Sequence, residues 1–444
     1  MAAARSLTVR SRWRTALVAV VLLVAGSLLV SRVGAGYDRS PTCATTLGDP
    51  RSPLLGPTGM SAQPDERLDT LAAAVARMPA PFGDVVAGVG YDYGQWLHLY
   101  GVNGGVLAWT KNNAPVTFLD PTTLAPRWSL RPDGGTTAWD ASSDTFLLLD
   151  LEKERVRVGT FGFDLGRQQW CTDLDASYRP GDPVSTAFLP GGDVLVATKA
   201  SAGTRLTRLA GEDGAEKWHR ELSGTGRADF LTQLTGDLAL AGGVEEYRLA
   251  EPAPRSSAAP VITAFSTVDG RAAWTWASGA DTAAHVVGVG GGRVLVTVRS
   301  RGGTRLLALD AKDGSVLWQR TPRNGAFEAT LHGGVVLMRS PAGLDAYSVS
   351  EGRPLWALPV PKDRTYFPYG FVLDQMPSLD ADRVLVPTTT ALLALDVRTG
   401  TTTTYPLPTD GLSTTYWPYQ LLVTDDLLGV VTNTGGVLAR RAPE

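Results

Sequence analysis

Short apolar runs recur along most of this chain, each broken by a polar or glycine-rich turn. Arg293–Val298, Asp193–Ala197, Arg383–Pro387 and Gly334–Met338 are representative. Runs of this length, rich in valine and leucine and bounded by turn residues, predict β-strands. Many are followed by an eleven-residue pattern whose fullest copy is Ala308–Trp318, with Asp310, Gly314 and Trp318 as its fixed points. Related copies cover 118–128, 208–218, 264–274, 346–356 and 394–404, and a shortened copy ends at Trp170. The closing positions are 128, 170, 218, 274, 318, 356 and 404, spaced by 42, 48, 56, 44, 38 and 48 residues. The longest spacing holds a Pro/Ser/Ala-rich stretch, 251–260, which reads as a loop insertion. Beyond the last copy, Leu427–Val431 and Gly436–Ala439 predict one more hairpin without the aspartate and tryptophan.

The pattern has a physical reading. Two apolar runs joined by a short turn make a hairpin. The Asp or Ser that follows can accept a hydrogen bond from the turn backbone two residues on. Gly214, Gly270, Gly314, Gly352 and Gly400 supply the positive φ that the next turn needs. The closing Trp128, Trp170, Trp218, Trp274, Trp318 and Trp356 are large and rigid, suited to burying a face against a neighbouring unit. One four-stranded unit cannot bury both of its faces, so the units must stack radially. The chain is therefore expected to be all-β, a seven- or eight-bladed β-propeller over residues 84–444. Complete motifs count seven and hairpins count eight, and eight is favoured.

The repeat resembles the PQQ (pyrroloquinoline quinone) propeller repeat, whose tryptophan-docking motif reads Ala-x-Asp-x-x-Thr-Gly-x-x-x-Trp. Residues 308–318 and 394–400 match it well; 264–274 and 346–356 place Ser at the Asp position; 118–128 keep Asp and Trp but lose Ala and Gly. The resemblance implies the propeller fold and leaves two kinds of function open. Quinoprotein dehydrogenases of this type hold the quinone and Ca²⁺ near the axis, usually with an adjacent Cys-Cys disulfide and a Glu-Asn-Asp metal set. Non-enzymatic members, the outer-membrane assembly type, bind partners through their loops. This chain has no adjacent cysteines and no lipid-attachment cysteine. The missing cysteine pair argues against redox catalysis and favours the non-catalytic scaffold, with no cofactor and no metal site, while the missing lipid-attachment cysteine is a departure from the outer-membrane assembly type; an unusual quinoprotein oxidoreductase and a sensor ectodomain working with a partner are the alternatives.

The N-terminus adds a different element. Arg5, Arg10, Arg12 and Arg14 precede an uncharged run from Thr15 to Ser31. Its 17 residues lie at the short end of what spans a ~30 Å hydrocarbon core, and the arginines favour an N-terminus inside. Residues 1–14 are expected as a cytoplasmic tail and 15–31 as a signal anchor, with the rest outside the cytoplasm; cleavage near Val33-Gly34-Ala35 is the alternative. Residues 32–60 read as a linker. Within 61–80, Pro64, Asp65 and Glu66 mark a helix start, Leu68, Leu71, Ala72, Val75 and Met78 share a face, and Pro79 ends it. This helix is expected to pack on the propeller rim. Cys43 and Cys171, the two cysteines of the chain, are expected to form one disulfide in an exported protein; two unrelated thiols are the alternative.

A net charge of −3 with no basic stripe lacks the footprint of a nucleic-acid binder. His98, His219, His285 and His332 lie scattered, none at metal-ligand spacing from a cysteine or another histidine. Gly288–Gly292 and Asp310-x-x-Asp313-Gly314 are read as turns. One feature points to a surface. Tyr366, Phe367 and Tyr369 recur as Tyr416, Trp417 and Tyr419, in the matching contexts Thr-Tyr-Phe-Pro-Tyr and Thr-Tyr-Trp-Pro-Tyr. They are expected in equivalent loops of adjacent blades, near Tyr91, Tyr93 and Trp96 if the ring closes. Aromatics with polar tips suit an envelope protein, a peptide or a glycan; packing between blades or filling the central channel is the other use for them.

Overall fold

Strand-forming runs of four to nine residues assemble into eight antiparallel sheets. The computed structural model describes residues 45–48 and most of 66–443; 1–44, 49–65, 91–96, 243–260, 360–375, 408–417 and some shorter loop stretches lie outside the described residues. The sheets are the blades of a propeller. Blade 1 covers 97–132, blade 2 136–174, blade 3 185–223, blade 4 230–277, blade 5 283–320, blade 6 328–359 and blade 7 383–406. Blade 8 covers 418–441 and is completed by the N-terminal strand Phe82–Gly90, which pairs with Gly435–Arg441. The hairpin without a motif is therefore a true blade whose outer strand comes from the other end of the chain, and the ring has eight blades. Apart from Thr45–Gly48 and Phe82–Gly90, the described strands run outward in sequence in each blade, and first strands touch between blades 2 and 3, 3 and 4, 5 and 6, and 8 and 1. In blade 7 an isolated bridge, Ser378 to Val384, stands at the position of the inner strand.

The core lies between blades. Alternate residues of each middle strand point to opposite neighbours, so Leu295, Leu306 and Ala308 of blade 5 pack with Val336, Met338 and Tyr347 of blade 6. Leu337, Leu344 and Ala346 of blade 6 turn the other way, toward Val384, Val386 and Leu393 of blade 7.

The repeat turn does what its residues require. Asp310, Asp396 and Asp120 accept backbone N–H bonds from Lys312, Arg398 and Thr122 at 2.8–2.9 Å, and Ser266 accepts one from Val268. At Asp120 the Thr123 amide and then the Arg127 guanidinium hold the carboxyl down to about 2. Leu124 occupies the glycine position of this first copy and adopts φ 56°, the one non-glycine residue at positive φ among those described.

The described helix, α1 (Glu66–Val75), falls within the stretch 64–78 expected to be helical, of which 64 and 65 lie outside the described residues. Leu71, Val75 and Met78 bury themselves in the core of blades 6 to 8, and α1 contacts the two outermost strands of blade 8. Within the segment expected as a linker, Thr45–Gly48 forms a fifth strand on the outer edge of blade 1. The expected anchor 15–31 lies outside the described residues; among those described, no helix is long and apolar enough to cross a membrane.

Candidate docking face and the ring that carries it

Six closing tryptophans each reach the following blade. Their indole N–H groups donate to backbone carbonyls: Trp128 to Phe163 (2.8 Å), Trp170 to Gly211 (2.7 Å), Trp218 to Thr267 (3.0 Å), Trp274 to Ala311 (3.0 Å), Trp318 to Val349 (3.1 Å) and Trp356 to Val397 (2.9 Å). Each ring lies against a glycine of that blade's turn. A Cβ at Gly314 would stand 2.6 Å from the Trp274 ring, and one at Gly400 would stand 2.7 Å from Trp356. The glycine of one copy is thus the seat for the tryptophan of the copy before it. Two residues after the tryptophan a second donor grips the same turn: Thr172 to Gly214, Arg220 to Asp269 and Arg320 to Glu351.

The remaining two junctions are built differently. From blade 7, the Tyr405 hydroxyl donates to Ala80 carbonyl at 3.2 Å and its ring meets Phe82 edge-on. From blade 8, Arg440 donates to the carbonyls of Pro121 (2.9 Å) and Thr122 in blade 1. At the centre, Gln420 of blade 8 closes the ring onto blade 1. Its side-chain amide donates to Leu99 carbonyl at 2.7 Å and accepts from Leu99 N–H at 3.0 Å, so it stands in for one step of a β-ladder. Tyr405 follows the closing position Thr404 directly, the one signal by which sequence reading could have found it; Gln420 and Arg440 carry no such signal.

The two sides of the ring differ. In an antiparallel four-stranded blade, the first–second and third–fourth turns share one side; the second–third turn and the crossover to the next blade share the other. The first side carries tight turns, including Gly291–Gly292, Gly333–Gly334 and the repeat turns. On the second, crossover side open the strand ends that flank 243–260, 360–375, 408–417 and 91–96. Tyr366, Phe367, Tyr369, Tyr416 and Trp417, with Tyr91, Tyr93 and Trp96, lie outside the described residues. Tyr419 falls in the strand Pro418–Val423, with its side chain outside them too. Their flanking strands fix what the topology allows. The three aromatic segments are the crossovers from blade 6 to 7, 7 to 8 and 8 to 1, on one side of three consecutive junctions. The insertion at 251–260 falls within a second–third connection of blade 4, on the same side.

Charged groups inside the ring are mostly neutralised in place. Asp193 is buried, which opposes its ionisation. Bonds from Lys217 (2.8 Å), Gly211 N–H (2.9 Å) and Arg208 (2.7 Å) outweigh that and hold its carboxyl below the usual range. Arg208 also donates to Thr267 of blade 4. Glu328 pairs with Arg339 at 3.3 Å on blade 6. Burial pushes the imidazoles of His285 and His332 down. Asp345 differs: it is 5 % exposed, its Oδ2 has no hydrogen-bond partner, and burial raises its carboxyl above the usual range. Among the described residues no group of three or more His, Cys, Asp or Glu could hold a metal ion. Cys171, on the outer strand of blade 2, is disulfide-bonded; Cys43 lies outside the described residues.

The model of the family described as outer membrane protein assembly factor BamB matches residues 73–250 and 258–441. Solved structures share the fold at low identity. BamB from Moraxella catarrhalis is 16 % identical, with 80 % of this chain and 99 % of that one covered and a TM-score of 0.49. The quinohemoprotein alcohol dehydrogenase ADHIIG from Pseudomonas putida HK5 is 12 % identical, with 80 % and 76 % covered and a TM-score of 0.51. Saccharomyces cerevisiae Sqt1 is 10 % identical, with 82 % and 100 % covered and a TM-score of 0.53. For the latter two the likeness, at these identities, is one of fold, which hosts many functions. No curated protein matches the chain.

Proposed function

The chain belongs to the family of the outer membrane protein assembly factor BamB, and from that premise we propose that it is a non-catalytic scaffold of the cell envelope. In this reading residues 15–31 anchor it in a membrane, with the N-terminus cytoplasmic and the ring outside the cytoplasm. The crossover side presents its loops to an envelope protein, peptide or glycan. The observation that carries the reading is the asymmetry of the ring. One side is spent on tight turns that every blade needs, while the other gathers the long connections and three aromatic segments on consecutive junctions. A rigid scaffold that displays variable loops on one side is the usual arrangement of a binding surface. Tyr366, Phe367, Tyr369, Tyr416, Trp417 and Tyr419 are the residues proposed to touch the partner.

The test is crosslinking in membranes with mass spectrometry, comparing the wild type with Tyr366→Ala, Trp417→Ala and Tyr419→Ala combined. A dominant envelope partner that disappears in the variant is the expected result. The same partner at undiminished yield refutes the assignment of the surface. Stoichiometric uptake of quinone with Ca²⁺ by the purified ring would replace the scaffold reading with that of a quinoprotein oxidoreductase.

A further inference from the structure

Blades 3 and 5 share one frame on the crossover side of the ring. In blade 3, Thr198 stands opposite Arg205 and Lys199 opposite Thr204; in blade 5, Val298 stands opposite Arg305 and Arg299 opposite Thr304. The inner and outer strands match as well. Ser185 pairs with Ala197 and Leu206 with Arg220, as His285 pairs with Thr297 and Leu306 with Arg320. The basic groups are therefore placed alike, and Arg301 adds one in the turn of blade 5 where blade 3 has Ser201.

The counter-charges are not alike. In blade 3, Lys199 Nζ donates to Asp182 at 2.7 Å, Arg205 reaches Asp175 at 3.4 Å, and Glu221 stands opposite Arg205 in the ladder. Desolvation opposes ionisation of Asp182, but its bonds from Lys199 and from Arg179 N–H outweigh that and hold its carboxyl below the usual range. In the frame of blade 5, Thr282 takes the place of Asp182 and Thr321 that of Glu221. The Thr282 hydroxyl is spent within its own crossover, donating to Gly279 carbonyl at 2.8 Å and lying 2.6 Å from Ser278 Oγ. The one acid of that crossover, Asp281, lies outside the described residues. Arg299 is engaged within the protein. The guanidinium groups of Arg301 and Arg305 have neither ion pair nor hydrogen bond among the described residues, and neither has that of Arg323, exposed two residues past Thr321. Asp345 feels the Arg323 charge, yet burial keeps its carboxyl above the usual range. Elsewhere on blades 6 and 7, Arg339, Arg353, Arg383 and Arg398 each have a carboxylate partner.

We propose that the crossover side of blade 5 is a docking surface for an acidic polypeptide segment of a partner, whose carboxylates give Arg301, Arg305 and Arg323 the counter-charges that blade 3 supplies to itself. The fold shows what fits this frame: in blade 3 it is met by a connection of the chain carrying Asp175 and Asp182. Guanidinium groups suit the role, because their planar fork matches a carboxylate. The inference deepens the scaffold reading by giving one partner contact a charge. It lies on the same side as the aromatic crossovers, one blade before the first of them. Complementary charge of this kind steers encounter and fixes register, and salt weakens it where the groups are exposed.

The experiment titrates the full chain into a capped, fluorescent oligoglutamate peptide at low ionic strength and follows anisotropy. Two variants remove the attraction by different routes. Arg301→Gln with Arg305→Gln takes the charges away; Thr282→Asp with Thr321→Glu keeps every arginine and writes the acids of blade 3 into blade 5. Each is expected to weaken the peptide by about tenfold or more. Arg353→Gln, on the opposite side of the ring, should leave binding unchanged. Absence of saturable binding to the wild type overturns the proposal. So does equal weakening by Arg353→Gln, which would make the attraction a matter of net charge. Vesicles of anionic phospholipid form the other arm: if they bind and both variants release them, while oligoglutamate does not bind, the surface meets lipid and the polypeptide assignment falls. The variant with Tyr366, Trp417 and Tyr419 changed to Ala should bind oligoglutamate as the wild type does. Failure here is thereby distinguishable from failure of the scaffold reading, which the crosslinking tests at the aromatic loops.

Discussion

Gly314 and Gly292 offer a controlled pair within blade 5. Both sit at left-handed φ, 72° and 71°, so alanine meets the same backbone penalty at each, on the order of 1 kcal/mol. Their surroundings differ. A Cβ at Gly292 would meet nothing within 4 Å, whereas one at Gly314 would lie 2.6 Å from Cε3 and 2.9 Å from Cδ2 of Trp274. No rotation relieves that overlap, because the ring is buried among Leu240, Ile262, Val294 and Leu309 and held by its 3.0 Å bond to Ala311 carbonyl. Gly314→Ala must push the indole out of its seat. Losing a buried tryptophan contact altogether costs about 3–5 kcal/mol, which bounds the effect from above. Gly314→Ala should therefore cost up to roughly 3–5 kcal/mol and Gly292→Ala about 1 kcal/mol.

Urea unfolding followed by far-ultraviolet circular dichroism separates the two. With a slope near 3 kcal/mol per molar, a difference of about 3 kcal/mol moves the midpoint by roughly 1 M. The decisive form is a double-mutant cycle. In a Trp274→Ala background the seat is empty, and Gly314→Ala should cost no more than Gly292→Ala does. Equal midpoints for the two single alanine variants, or an undiminished penalty without the tryptophan, would refute the docking account of the repeat.

Three further outcomes are expected. Gln420→Leu strips both bonds from the buried Leu99 peptide, which should lower stability by about 2–4 kcal/mol and speed exchange of the Leu99 amide; unchanged protection of that amide would contradict its closing role. The Asp345 carboxyl holds its proton to higher pH folded than unfolded, so its contribution is fully present below the ordinary aspartate value and lost as pH rises through the raised one. Asp345→Asn should flatten that segment of the stability–pH curve and raise stability at neutral pH, and identical curves would count against it. Non-reducing peptide mapping should recover Cys171 joined to Cys43, and two free thiols would end that assignment.

Much of the fold could be read from the chain because the repeat writes its own geometry. A glycine at a fixed offset from an aspartate and a tryptophan specifies a turn, and the turn specifies a strand on either side. What stayed hidden is where the repeat is broken. The eighth blade draws its outer strand, Phe82–Gly90, from the far end of the sequence, and no local pattern announces a pairing over such a distance. Thr45–Gly48 is short and polar and reads as linker, because its partner rather than its own composition makes it a strand. The pairing of each glycine with the tryptophan of the preceding copy was equally invisible, since a motif shows what recurs and not which copies touch.

The breaks in the repeat fall together. Six junctions use tryptophan, while those from blade 7 to 8 and from 8 to 1 use Tyr405 and Arg440, with Gln420 closing the centre. The crossovers at those two junctions carry two of the three aromatic segments, and the extra strand sits on blade 1 beside them. A sequence departs from its own rule where something other than stability is being selected. Closure alone would account for the changed docking residues, because the chain must begin and end somewhere in the ring. It would not call for long aromatic crossovers on one side or for an added strand on an edge already paired within its blade. Those features lie next to the seam without contributing to it, which is why blades 7, 8 and 1 are the sector where a partner should first be sought.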